Sequence, residues 1–291
     1  MLVRHTFPHP RLLPYVETYW CWESEALPSG RLPRILPNPE SEVLLHYRTP
    51  LQTVTLDGEL RRIPYAAVAG PQTRPCDLLA GLDGGQPGPV GIVGIRFRPG
   101  AFRLFCRLPA AELTDAILPL EDAWGALSRE LLQRLEEAPD WPGRTRLLDD
   151  ALLKLLGSRQ PSPTPVDRAL SMLGAVQPDD LPAVRAVCGS LAVSERQLER
   201  WFLDRVGLPP KRYARLVRFQ RTLIRLLETG AAPSGLLPLE YGYYDQSHFL
   251  RELRSLAGAP LASFREQPDF LSFFYKTGGA PSRNLEWTQE R

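Results

Sequence analysis

Ser194-Glu195-Arg196-Gln197-Leu198-Glu199-Arg200-Trp201-Phe202, running on to Gly207 and Pro209, returns 51 residues later as Asp245-Gln246-Ser247-His248-Phe249-Leu250-Arg251-Glu252-Leu253, running on to Gly258 and Pro260. Each copy opens on a side-chain oxygen suited to capping a helix, carries apolar residues four apart on one face, and closes on Gly then Pro. A short turn and another apolar segment precede each cap. The pattern is a helix-turn-helix written twice, and it predicts a DNA-binding protein.

Charge is distributed to match. The whole chain carries a formal charge of only +2. Between Arg196 and Arg225, however, nine residues are basic and two acidic. A basic run is ordinarily a solvated helix face; on and just after a candidate recognition helix it suits a phosphate-facing surface. Ser194 with Gln197 three residues later makes a capping-box arrangement. Leu198 and Phe202 should face inward with Trp201, leaving Arg196, Gln197, Glu199, Arg200 and Leu203 on the other faces. Arginine reads guanine bidentately and glutamate accepts from cytosine, although Glu199 also has Arg196 and Arg200 as intrahelical partners. In the second copy Gln246, Ser247, Leu250 and Arg251 take the corresponding positions, with His248 a packing residue and Asp245 the cap.

The 291 residues allow two domains, and 43% hydrophobic with 23% charged residues predicts a soluble globular chain. No apolar run is long enough to span a membrane, and Pro, Arg and His interrupt the N-terminal residues, so the expectation is a cytoplasmic protein. Cys21, Cys76, Cys106 and Cys188 lie far apart without a C-x-x-C pair, predicting reduced thiols and neither disulfide framework nor zinc site. No cofactor is expected.

The first 120 residues or so read as mainly strand. Candidates are 19–22, 42–47, 52–56 (closed by Asp57-Gly58), 66–69 and 90–97, with a short helix over 10–16. Alternation of Val93, Ile95 and Phe97 with Gly94, Arg96 and Arg98 predicts a sheet with one wet face. Leucine spacing predicts helices over 124–137 and 144–156, packing on their own domain or forming a homodimer seam. Prolines at 161, 163 and 165 mark a linker. The fold class is therefore α+β: a mainly β domain with flanking helices over 1–157, a linker over 158–165, an all-α double helix-turn-helix domain over 166–268, and a tail over 269–291.

Gly242-Tyr243-Tyr244-Asp245-Gln246-Ser247-His248-Phe249, with Arg251, Gly258 and Pro260 behind it, resembles the signature of the AraC/XylS transcription regulators. Leu191, Ser194, Leu198, Arg200, Phe202, Gly207 and Pro209-Pro210-Lys211 match its first block. The resemblance implies a sequence-specific regulator of double-stranded DNA, with Arg196, Glu199 and Arg200 facing bases. It also makes the stretch around Arg215 and Arg218 a helix joining two lobes, and those two arginines are expected on phosphate. Pro238, in the opening turn of a helix capped by Ser234 and weakened by Gly235, departs from the pattern.

The N-terminal half resembles sensor domains found ahead of such readers, which implies a small-molecule effector but names none. Trp20 and Trp22 share a strand face, as a core pair or a pocket wall; Arg96 and Arg98 share another, solvated or meeting an anion. Two rivals remain. A metal-dependent cupin enzyme needs more histidine ligands than His5, His9 and His46 supply. A DNA-alkylation repair protein of the Ada type would use Cys76, but its clustered zinc cysteines are missing.

Overall fold

The computed structural model describes residues 2–25, 32, 34–55, 57–83, 86–106, 108–159, 161–174, 184–229, 240–260 and 285–286. Seven antiparallel strands form the main sheet in the order β11 (Ile117–Pro119), β6 (Ala66–Ala69), β3 (Glu42–His46), β10 (Val90–Phe97), β2 (Val16–Ser24), β1 (Leu2–Thr6), β12 (Leu285–Glu286). A second sheet runs β5 (Leu60–Arg62), β4 (Gln52–Val54), β7 (Asp77–Leu79), and β8 (Leu82–Asp83) pairs with β9 (Gln86–Pro87). A 3₁₀ turn at Pro10–Leu12 replaces the longer helix expected there, as its prolines dictate.

The centre of the main sheet is the β2–β10 ladder, in which Tyr19 faces Ile95, Trp20 faces Gly94, Cys21 faces Val93 and Trp22 faces Ile92. Side chains alternate across it. Tyr19, Cys21, Val93, Ile95 and Phe97 enter a core shared with the flanking helices, while Trp20, Trp22 and Ile92 enter the other, against Leu51, Ile63 and Leu78. The wet face predicted for β10 does not exist: all eight of its residues are buried, because both faces are covered.

Helices α1 (Ala110–Leu113), α2 (Glu121–Trp124), α3 (Ala126–Glu137) and α4 (Trp141–Leu156) follow. Asp140 caps α4, its carboxylate accepting from the Gly143 N–H at 2.7 Å. Leu131, Leu135, Leu148, Leu152 and Leu156 are all buried against the sheet. These five fill the domain's own core, whereas Leu127, Leu132, Leu147, Leu153 and Leu155 are only partly buried.

The helical half contains α5 (Pro165–Gly174), α6 (Val184–Leu191), α7 (Glu195–Arg205), α8 (Pro210–Thr229) and α9 (Gln246–Ala257). Ser234, Gly235 and Pro238, and nearly all of the tail, lie outside the described residues. Among the described residues no helix is long and apolar enough to cross a membrane.

Gly94 is the tightest point of the sheet, because a Cβ there would sit 1.9 Å from the Trp20 indole. Gly94→Ala should therefore overpack both strands and cost about 1–3 kcal/mol of stability, readable as a lowered denaturant midpoint.

Candidate nucleic-acid interface

The first recognition helix is built as its sequence dictates. The Ser194 hydroxyl accepts from the Gln197 N–H at 3.1 Å. Leu198 and Phe202 are fully buried, and the Phe202 ring meets Tyr213 of α8 edge-on at 5.5 Å between centroids. Outward stand Arg196, Glu199 and Arg200, all exposed, with Gln197 half-buried. The Gln197 amide oxygen accepts from Arg200 at 2.7 Å, which orients that guanidinium. Arg196 and Glu199 make no hydrogen bond or ion pair among the described residues, so the intrahelical partnership open to Glu199 is not formed.

The second helix repeats the plan. The Asp245 carboxylate accepts from the His248 N–H at 2.6 Å, Phe249 and Leu253 are fully buried, and Gly258 ends the helix at φ +65°. His248 packs, as expected: its ring meets Tyr243 edge-on and its Nδ1 accepts from the Tyr244 N–H. Gln246, Ser247 and Arg251 are exposed, whereas Leu250 is half-buried against the core.

A buried carboxylate joins the lobes. Glu252 of α9 receives Arg215 Nε at 3.0 Å, Arg218 Nη2 at 3.1 Å and the Tyr243 hydroxyl at 2.9 Å. The Arg218 guanidinium also lies over the Tyr243 ring, 4.4 Å from its centroid. Of the two arginines expected on phosphate, Arg218 is largely covered with its guanidinium on Glu252, whereas Arg215 shares that carboxylate from an exposed position. Sequence reasoning missed Glu252, although a signal was present, since it stands three after Phe249 and one before Leu253 on the inward side of α9.

The N-terminal half departs further from expectation. Arg96 is 3% exposed, its Nε 2.5 Å from Glu42, so it faces neither solvent nor a free anion. Arg98 is exposed and donates to the Leu13 carbonyl at 2.9 Å. Trp20 and Trp22 are core residues that also line a small apolar cavity of about 60 Å³ between the sheets. Asn38 lines it too, with a buried side-chain oxygen that has no hydrogen-bond partner among the described residues.

Two contacts dock this half onto the reader. The Thr114 hydroxyl donates to the Gly207 carbonyl at 2.9 Å, where Gly207 turns the chain out of α7 at φ +84°. A Cβ on Gly207 would lie 2.4 Å from the Ala110 carbonyl oxygen of α1. Arg34, held by Asp77 at 2.6 Å, donates to the Ala257 carbonyl at the end of α9 at 3.2 Å.

The chemistry of the rival readings is poorly served. Burial and then Asp77 push the Cys76 thiol up to about 11, the reverse of what a nucleophilic thiol needs. Among the described residues no three His, Cys, Asp or Glu side chains cluster to hold a metal.

Residues 187–267 match a family described as a helix-turn-helix domain, and residues 4–119 match one described as a domain of unknown function, DUF6597. The helix-turn-helix match covers both outward helices and supports a DNA-binding transcription regulator. Its helix-turn-helix region is of the AraC type. No curated protein matches the chain in sequence. Among solved structures, ToxT from Vibrio cholerae O395 is 10% identical, with 89% of this chain and 97% of that one covered and a TM-score of 0.44. Wild-type ToxT bound to an unsaturated fatty acid, from Vibrio cholerae strain SCE256, is 9% identical over 84% and 93%, also at 0.44. The AraC-like transcriptional activator CuxR is 15% identical over 76% and 78%, at 0.23. Likenesses this distant define neither ligand nor operator.

Glu252→Ala should strand Arg218 in a largely covered site and cost roughly 3–5 kcal/mol, as breaking a buried pair does. Thermal unfolding of the full chain should then show the helical half melting first. A second expectation concerns Glu40, which burial and then the charge of Glu17 raise from 4.5 to about 8. Such a carboxyl holds its proton more tightly folded than unfolded, so its contribution is complete below the unfolded value and fades as pH rises through about 8. Between pH 5 and 8 the wild type should lose more melting temperature than Glu40→Gln.

Proposed function

We propose that this chain is a sequence-specific regulator that reads two successive major-groove segments with α7 and α9. The observation that carries the reading is the pair of capped helices with exposed polar and basic faces, fixed to one connecting helix through Glu252. Arg196, Gln197, Glu199 and Arg200 read the first segment; Gln246, Ser247 and Arg251 read the second, with Leu250 offering the edge of an apolar contact. Lys211 and Arg212, exposed at the start of α8, face phosphate together with Arg215, which is also exposed. The two segments lie about one helical turn apart, roughly 34 Å.

The N-terminal domain supplies the regulatory input. The reading is supported by its contacts to both lobes, through Thr114 on one and Arg34 on the other, so a shift in the domain is felt at both helices. Trp20, Trp22 and Asn38 line the small apolar cavity inside this domain. In this reading residues 1–157 are the sensor, 158–165 the linker, 166–268 the reader and 269–291 the tail.

Selection of bound duplexes from a random pool, followed by binding measurements on the selected site, tests this. Arg196→Ala and Arg200→Ala should each relax one position of the first half-site at a cost of about 1–3 kcal/mol, and Arg251→Ala one position of the second. Lys211→Ala should weaken all sequences alike and flatten the salt dependence. If all four variants lose affinity uniformly with base preferences intact, the outward faces do not read bases.

A further inference from the structure

A cleft of about 450 Å³ lies where the main sheet meets α5 and α8. Glu17 of β2, Glu40 just ahead of β3 and Arg98 line one wall; Asp167 of α5 with Tyr213 and Arg221 of α8 line the other. Small-molecule sites fall in the range of roughly 300–1,000 Å³, which this cleft meets and the cavity between the sheets does not.

The floor of the cleft holds more negative than positive charge. Glu17, Glu40 and the adjacent Glu42 are all buried, at 8%, 7% and 7% exposure. The buried guanidinium among them, Arg96, is bonded to Glu42. Among the described residues no close hydrogen bond or ion pair meets the Glu17 carboxylate, although the charges of Arg96 and Arg98 act on it and that of Arg96 acts on Glu40. The remaining charges are engaged or peripheral. Asp167 is bonded to Arg205 at 3.0 Å, Arg98 is exposed and donates to Leu13, and Arg221 is half-exposed on α8.

Two buried carboxylates facing one space repel one another. The chain relieves this by protonating one or by seating a positive charge between them. The raised value of Glu40 is the first course. The second fits the space: 450 Å³ far exceeds a bare ion, and Leu170, Val217 and the Tyr213 ring give it an apolar side.

We propose that the cleft binds an organic cation with a primary ammonium or guanidinium head, recognised by Glu17 and Glu40. Its apolar portion lies along Leu170 and Val217. The head takes the place of the proton on Glu40, which leaves to solvent, so binding tightens as pH rises from 6 to 8. The site is separate from the DNA-facing helices and from the cavity at Trp20 and Trp22, so it stands or falls independently of both.

The test is calorimetric titration of the DNA-free full chain at constant ionic strength with butylamine hydrochloride and butylguanidinium chloride, and with sodium butyrate as the probe of opposite charge. Saturable one-to-one binding of at least one cation is expected, tighter at pH 8 than at pH 6, with none for butyrate. Glu17→Gln/Glu40→Gln keeps side-chain volume, removes both carboxyl groups and should weaken that binding at least tenfold; its unliganded melting curve checks that it folds. Ser171→Trp, from an exposed position on α5 that lines the cleft, obstructs the space without touching either carboxylate and should also abolish binding. Absence of saturable binding by both cations, equal binding of butyrate, or unchanged affinity in either variant overturns the proposal.

Discussion

The reading half depends on a single buried carboxylate. Glu252 draws Arg215 and Arg218 of α8 and the Tyr243 hydroxyl to one point, and through them α9 is fixed to the connecting helix. Removing charges from water is expensive, so such a cluster is weak evidence for stability. What it supplies is geometry. An apolar contact tolerates sliding, whereas two guanidiniums and a phenol converging on two oxygens fix the rotation of α9 about its axis. That rotation decides which of Gln246, Ser247 and Arg251 face outward.

The sensor half answers to a different constraint, the burial of both faces of one sheet. β10 has no solvent side and β2 is buried as far as Trp22, so their apolar side chains must fit one of two cores. Where Trp20 needs room, β10 supplies Gly94; where Tyr19 brings a hydroxyl under α4, Asp149 accepts it at 2.9 Å. Charged residues of this region meet partners: Arg96 is bonded to Glu42, and Glu23 of β2 to Arg144 of α4 at 2.7 Å.

Much of the reader was legible in the sequence because its information is local. A cap and the amide it satisfies lie three residues apart, and an inward face repeats every three or four, so Ser194, Asp245, Leu198, Phe202, Phe249 and Leu253 all stand where the pattern placed them. The strands at 16–24, 42–46 and 90–97 were legible for the same reason. The errors were non-local. Arg96 reads as a solvated strand residue until Glu42 is brought beside it, and nothing in the order of the chain shows that Glu252, 34 residues on, reaches Arg218. The leucines of α3 and α4 announce an apolar face without saying what covers it. Glu17 and Glu40 carry no signal at all in one dimension, since the cleft they line is closed on its other side by residues more than a hundred positions away.

Gly207 bears on how such chains are put together. It leaves α7 with a positive φ that any helix ending in glycine would use. The Ala110 carbonyl and Thr114 hydroxyl of the other half press into the space where a side chain would begin. The residue therefore serves two polypeptide units at once, one through its backbone angle and one through its missing carbon. A reader transplanted from another protein keeps its own fold with asparagine at this turn, but it would not seat on this sensor. The two halves are thus interchangeable parts only among readers that end this helix in glycine, and a single hydrogen atom in place of a methyl group sets the compatibility of the joint.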